Sequence, residues 1–218
     1  MASLTVENYV KAIFQICIAQ SGRPAATGQV ADALSVSPGT VTSMLKTLSE
    51  SGLATYAPYE GVRLTAAGNA LALRVMRRHR LIEQFLVETL KLTWDEVHEE
   101  AEHMEHAVSD RLVDRIDEYL GFPQADPHGD PIPRADGSLE TPASRTLAEC
   151  PPGFRFCLTR VIDQSPEFLR FLTEAGLPLG VRGEVLAGPA AGALTVAVAG
   201  RQTSLGREAA EKILVTAS

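Results

Sequence analysis

The stretch SVSPGTVTSMLKTLSESG, residues 35–52, decides the fold of the first third of the chain. Ser37 is a good helix N-cap, and Pro38 suits the first helical position, where its missing N–H costs nothing. Val41, Met44, Leu45 and Leu48 then recur at helical period and face inward, and Gly52 supplies the left-handed cap that closes the helix. Just before it, Thr27–Leu34 reads as a short helix with Val30, Ala31 and Leu34 inward. Two short helices joined by a tight turn form a helix-turn-helix. Upstream, a helix from about Thr5 to Ala19 shows the stripe Val6, Tyr9, Val10, Ile13, Phe14 and Cys17, and Gly22 and Pro24 end it. Downstream, Leu53–Ala57 and Val62–Thr65 flank PYEG at 58–61, a hairpin signal. The sum is a winged helix. Its second short helix presents Ser37, Pro38, Gly39, Thr40, Thr42, Ser43 and Lys46 as an exposed face for the major groove of double-stranded DNA. An interaction-only winged helix is the alternative. The small hydroxyls leave room for a close backbone approach and favour DNA, while the lack of Arg or Gln leaves base readout unspecified.

Composition bounds the rest. The chain has 218 residues, 45% hydrophobic and 22% charged, which is ordinary globular composition with room for two or three domains. No apolar run reaches the ~20 residues of a membrane span. MASLTVENYV at the start lacks the basic region and apolar core of a secretory signal. Three cysteines, Cys17, Cys150 and Cys157, form no CxxC pair and suggest buried thiols in a reducing cytoplasm. The net charge of −7 is unevenly spread. Residues 1–64 hold four basic and four acidic side chains, residues 65–125 seven against twelve, and residues 126–218 nine against eleven. The acid excess in the middle argues against tight nucleic-acid binding until something cancels it.

That middle segment holds the chemistry. A helix from about Thr65 to Leu90 carries His79 and Glu83 one turn apart. Gly68 near its start is a minor flaw, and Arg74, Arg77, Arg78 and Arg80 make it locally basic. TWDE at 93–96 is a capping box opening a helix to about Val108. On it His98, Glu102, Glu105 and His106 fall within roughly 100° of one another at helical pitch. Carboxylates gathered on one stripe repel. A divalent cation would neutralise them and accept both oxygen and nitrogen ligands. A solvated acidic face is the plainer alternative, but histidines at both ends and a His–Glu pair on the neighbouring helix favour metal. Next comes a helix over 109–121, with Leu112, Val113, Ile116 and Leu120 inward and Gly121 as its stop. Such wide apolar faces suggest burial against a second copy, a homodimer.

FPQADPHGDPIPRADG, from 122, is a Pro/Gly/Asp loop and a domain boundary, with Asp126 and His128 as possible ligands. From Thr146 the texture is short strands: Phe154–Val161, Val181–Leu186, Leu194–Ala199 and Ile213–Thr216, with Ser165-Pro166 opening a helix. This predicts a small β-barrel. Asp163, Gln164 and Glu167 at its first strand-to-helix corner are oxygen donors. The expected fold is therefore mainly α with a small β part. Residues 1–65 form the winged helix, 66–125 a helical dimerisation and metal-binding domain, 126–145 a linker and 146–218 the barrel.

This order of parts resembles the diphtheria-toxin-repressor and manganese-transport-regulator family over nearly the whole chain. The most specific pieces are RRHRLIEQFL at 77–86, EAEHMEH at 100–106 and PHGDPIP at 127–133. The last segment looks like the FeoA-like barrel of longer members. The resemblance implies metal-activated dimeric repressors of metal-transport genes, acting on palindromic operators in the cytoplasm. It implies a primary metal site at Asn8, Glu102, Glu105 and His106. An ancillary site at His79, Glu83 and His98 would be completed near Gln164 or Glu167 or, as in some manganese-type members, by Asp126, His128 and Asp163. In the shortest manganese-type members the equivalent of His79 stands next to the primary site. The chain departs from the pattern in three places. Glu102 is a hard donor where iron-type members have a soft Cys or Met, which suits Mn(II) over Fe(II). Asn8 stands where manganese-type members have Asp. Lys11 stands where a two-metal site would need an acid, so one ion is expected there. Zn(II), Co(II) or Cd(II) are possible substitutes.

Two other functional classes compete with this reading. HEEAEH at 98–103 superficially resembles the zinc-hydrolase HExxH, but His98 and His103 are five apart and point about 140° from each other at helical pitch. No nucleophile or acid–base set stands out, so no enzyme is expected. A small-molecule-sensing winged helix would need an apolar pocket that sequence does not reveal.

Overall fold

The computed structural model describes residues 3–188 and 192–218. The chain divides into two compact units. One runs to His79 and adds Glu105–Val108 and Pro133–Ser138; the other holds Arg80–Met104, Ser109–Ile132 and the chain from Leu139 onward.

In the first unit, α1 (Leu4–Ala19), α2 (Thr27–Leu34) and α3 (Pro38–Glu50) precede the antiparallel hairpin β1 (Ala54–Ala57) and β2 (Gly61–Leu64). The Ser37 side chain accepts from Thr40 N–H with Pro38 in the first turn, and Gly52 has φ +73°, as the local signals require. Tyr9, Val10, Ile13, Val30, Val41, Leu45, Leu48 and Val62 make one core, each burial stabilising by about 1.5–3 kcal/mol. This is the winged helix. The long helix α4 (Ala66–Leu90) starts against it at Gly68, where an added Cβ would stand 2.0 Å from the Leu53 carbonyl oxygen. The apparent flaw is thus a contact that only glycine permits.

The second unit contains α5 (Val97–Met104), α6 (Asp110–Tyr119) and a six-stranded antiparallel sheet. Its strands are β3 (Arg145–Thr146), β4 (Arg155–Val161), β5 (Arg182–Ala187), β6 (Ala193–Val198), β7 (Arg201–Gly206) and β8 (Ile213–Ala217), in the order β3-β8-β4-β5-β6-β7. Bulges fall between Leu158 and Arg160 and between Val185 and Ala187, where register shifts bend the sheet. Helices α7 (Pro166–Glu174) and α8 (Arg207–Glu211) complete it. Phe156, Leu158, Leu169, Leu172, Val185, Leu194, Val196, Ile213 and Val215 fill its core.

Three sequence expectations change. Helix α5 stops at Met104, four residues before the predicted end at Val108. Leu112 of α6 is 49% exposed although its period placed it inward; Val113 and Ile116 are buried. Of the cysteines, all free, only Cys150 is buried; Cys17 is half-buried at the edge of the winged-helix core, and Cys157 is half-buried because it alternates with the inward Phe156 and Leu158 on β4. Among the described residues no helix is long and apolar enough to cross a membrane.

Candidate metal centres

The first cluster lies within the first unit. Helix α1 places Glu7, Asn8 and Lys11 on one face, α4 adds Arg78 and His79, and the turn after α5 adds Glu105 and His106. Glu105 is fully buried. Lys11 Nζ donates to its two oxygens at 2.9 and 3.1 Å, and His79 Nδ1 lies 2.6 Å from Oε2. His106 bridges the acids: Nδ1 is 2.8 Å from Glu7 Oε2 and Nε2 is 3.2 Å from Glu105 Oε1. Arg78 pairs with Glu7 at 3.4 Å. Burial pushes the Glu105 carboxyl up, but the hydrogen bond with His79 and the Lys11 ammonium outweigh it and hold the group below the ordinary carboxylate range.

These contacts explain the early end of α5. A buried carboxylate left without its cations costs about 3–5 kcal/mol, against a few tenths per residue for helix propensity. Glu105 therefore leaves the helical path for Lys11 and His79. Asn8 Oδ1 is buried with no hydrogen-bond partner, a deficit of about 1–3 kcal/mol that a cation would remove. The cluster fits a metal on that ground and on its hard oxygen and imidazole donors.

Of the expected primary set, Glu105 and His106 meet here, and Asn8 stands on α1 next to Glu7, which His106 contacts. His79, whose equivalent in the shortest manganese-type members was expected beside the primary site, meets Glu105 here at 2.6 Å. Glu102 lies on α5, where its carboxylate is 3.9 Å from His98 Nε2. Glu7 was missed, and Lys11 was noticed only as a departure. The signal was their i, i+4 spacing on a helix whose inward stripe both border.

The second cluster lies within the second unit. Ligand atoms of Glu83, Asp126 and His128 all fall within 4.8 Å of one another, and all three residues are buried. The loop that carries Asp126 and His128 is seated on β4: Val161 N–H donates to His128 O at 2.9 Å. Gly129, with φ +86°, makes the seat possible, because a Cβ there would stand 2.0 Å from Thr159 O. Asp130 anchors the loop by pairing with Arg80 at 3.2 Å, with Arg160 and with the Gln164 amide at 3.0 Å. His98 Nδ1 lies 3.2 Å from Glu83 Oε1. Burial, then Glu83 and Asp130, push Asp126 up to about 7 against the pull of His128 and Arg80. Burial lowers His128, but Glu83 and Asp126 raise it more. His128 Nδ1 is buried and has no hydrogen-bond partner. The acids outnumber the cations, and a divalent ion fits the deficit.

Asp163 and Glu167 enter no such three-ligand group among the described residues. Asp163 is satisfied by Lys212 at 3.1 Å and Ser165 N–H at 2.9 Å, and Glu167 is exposed in the first turn of α7. Gln164 spends its amide on Asp130. His103 is exposed and joins no three-ligand group among the described residues.

On α3, Ser37, Pro38, Gly39, Thr40, Ser43 and Lys46 are exposed and Thr42 is partly so. The Thr42 and Ser43 hydroxyls donate to Pro38 O and Gly39 O, leaving their lone pairs outward.

A winged helix combined with buried carboxylate–imidazole clusters defines a metal-responsive DNA-binding protein. Residues 1–62 match the iron dependent repressor N-terminal DNA binding domain, residues 65–134 the iron dependent repressor metal binding and dimerisation domain, and residues 145–217 the FeoA domain. The chain is 28% identical to the iron-dependent repressor IdeR of Mycobacterium leprae over 223 residues, spanning 97% of this chain and 96% of that protein. A solved manganese-dependent transcriptional repressor in complex with manganese is 43% identical, with TM-score 0.88, over 98% of this chain and all of that one. ScaR with bound Zn2+ is 33% identical, with TM-score 0.80, over 98% and 99% of the two chains. The protein belongs to the diphtheria-toxin-repressor and manganese-transport-regulator family of metal-dependent transcriptional regulators.

Proposed function

We propose that this protein is a manganese-responsive homodimeric repressor that binds palindromic operators of metal-transport genes in the cytoplasm. The observation that carries the reading is the set Asn8, Glu105 and His106, with Glu105 fully buried and the other two half-buried, built into the same unit as the DNA-facing helix α3. Its donors are oxygen and imidazole nitrogen, and Glu102 occupies the position where iron-type members present softer sulfur, which supports Mn(II). An Fe(II)-responsive regulator is the second reading, favoured by the likeness to IdeR.

A bound divalent cation supplies the positive charge that draws these donors together. Asn8 carries α1, and Glu105 and His106 carry the turn, so their convergence fixes the first turns of α1 against that turn. Helix α1 packs on α2 and β2 and thereby passes the constraint to the winged helix. Lys11 must yield its hold on Glu105, which makes the response graded against an internal competitor. Glu83, Asp126, His128 and His98 hold the second ion, with His79 left to the first cluster. Leu112, Tyr119 and Phe122 are exposed apolar side chains on or just after α6 and supply a face for the second copy. Dimerisation then sets the half-site spacing on successive turns of DNA.

The test is operator binding by the full chain with Mn(II), Fe(II) or chelator. The expected gain with Mn(II) is at least tenfold, about 1.4 kcal/mol of coupling. Equal affinity in excess chelator would overturn the repressor mechanism. Larger activation by Fe(II) at equal free metal would overturn the manganese assignment alone.

A further inference from the structure

We propose that Trp94, pinned by Thr173 of the FeoA domain, is a positioning residue that fixes His128 as an Nδ1 ligand of the second site. The inference rests on reading Glu83, Asp126 and His128 as a cation site.

His128 is fully buried, and its Nε2 lies 2.7 Å from the Trp94 carbonyl oxygen. A carbonyl only accepts, so Nε2 must carry a proton, and in the neutral imidazole that a metal requires the lone pair falls on Nδ1. That nitrogen lies 3.7 Å from Glu83 Oε2 and 4.0 Å from Asp126 Oδ1, too far for a hydrogen bond and with no other partner. It is the imidazole atom directed at the two acids. The Trp94 indole lies nearly parallel to the imidazole, at 15° with centroids 6.4 Å apart, and restricts turning of the ring.

Trp94 is itself held from the sheet side. Its Nε1–H donates to Thr173 Oγ1 at 3.0 Å. The Thr173 hydroxyl donates to Leu169 O at 3.0 Å, so its lone pair is the part turned to the indole. Asp95 pairs with Arg170, one turn earlier on α7, at 3.2 Å. The indole also packs against the core of the FeoA domain. The acceptor that selects the His128 tautomer is therefore placed by α7. The FeoA domain takes part in the second site through this lock, although neither Asp163 nor Glu167 enters the cluster. A metal-ligating His is commonly oriented by such a hydrogen bond to its second nitrogen, and disturbing the partner weakens metal binding by about 10–100-fold.

The experiment uses the full chain, with Cd(II) as a diamagnetic probe and histidine labelled with nitrogen-15. In the loaded protein His128 is expected to be ligated through Nδ1, with a slowly exchanging Nε2 proton. Emission from Trp94, the single tryptophan, should change as this site fills and not change in Glu83→Gln. Thr173→Val should weaken Cd(II) at this site about tenfold and spare the Glu105 cluster, and Thr173→Ser should restore it. Ligation through Nε2, or unchanged affinity in Thr173→Val, overturns the inference while leaving the site standing. A Cd(II) stoichiometry unaffected by Glu83→Gln overturns the site reading and the inference together.

Discussion

The two clusters differ in where their positive charge comes from. In the first, each acid has an internal cation or imidazole: Lys11 and His79 serve Glu105, and Arg78 and His106 serve Glu7. In the second, Arg80 reaches both Asp126, at 3.6 Å, and Asp130, while Glu83 faces imidazoles. The carboxyl groups register the difference. Glu105 is held below its ordinary range, whereas Asp126 is driven up to about 7. A cation entering the first cluster competes with an ammonium and must rearrange its neighbours, which suits a sensor. One entering the second fills a deficit between α4, the proline loop and the seat of that loop on β4, which suits a clamp.

The strongest way to break this contrast is Glu105→Gln. The amide cannot hold Lys11 as an ion pair, and breaking a buried pair from one side costs about 3–5 kcal/mol. Metal-dependent operator binding should be lost, at least the tenfold gain expected of the native chain. Gel-shift titrations with and without Mn(II), alongside a thermal melt, read both effects. Retained activation would remove Glu105 from the switch.

Glu83→Gln should do less to DNA binding and more to the second unit. One metal per chain should disappear, and the melting gain on adding Mn(II) should shrink, because an ion bound only by the folded state stabilises it by mass action. Metal analysis after gel filtration and calorimetry test this. A loss of operator binding as large as that of Glu105→Gln would make the two sites one switch.

Lys11→Met sharpens the comparison from the other side. Without the internal competitor, Mn(II) should activate at a severalfold lower concentration, while the metal-free protein melts lower because Glu105 has lost its ammonium. An unchanged activation midpoint would mean that Lys11 does not compete for that carboxylate.

How far these contrasts were legible in sequence follows from how local their causes are. Ser37, Pro38 and Gly52 act within a few residues, so α3 and the winged helix could be read directly. The end of α5 could not, because Glu105 and His106 continue its periodic stripe and only Lys11 and His79, distant in sequence, draw Glu105 out of it. Glu7 and Lys11 escaped for a related reason: charged residues are read as surface unless their partners are known. Strand β7 offers Leu205 as its single buried side chain, so RQTSLG looks like a turn until β6 pairs with it. Trp94 was legible only as part of a capping box. Its link to His128 joins residues 34 apart in sequence, and no spacing rule reports that.

The smallest expected effect concerns Asn8. Its Oδ1 is a buried acceptor without a donor, one residue along α1 from the paired carboxylate of Glu7. As a neutral dipole it can ligate Mn(II) but attracts the ion less than a carboxylate would. Asn8→Asp adds a negative charge to a cluster whose existing acids are already matched, so that charge is available to the metal alone. Mn(II) binding should tighten, by less than about tenfold or 1.4 kcal/mol, since burying the new carboxylate offsets part of the gain. Asn8→Ala should weaken metal-activated operator binding and leave dimerisation intact, because the exposed apolar residues Leu112, Tyr119 and Phe122 lie far along the chain from α1. Titrating Mn(II) against operator binding for the three proteins, with gel filtration for the dimer, decides the matter. Identical midpoints would mean that α1 gives no side-chain ligand, and the first cluster would then hold its metal through Glu105 and His106 without drawing on helix one.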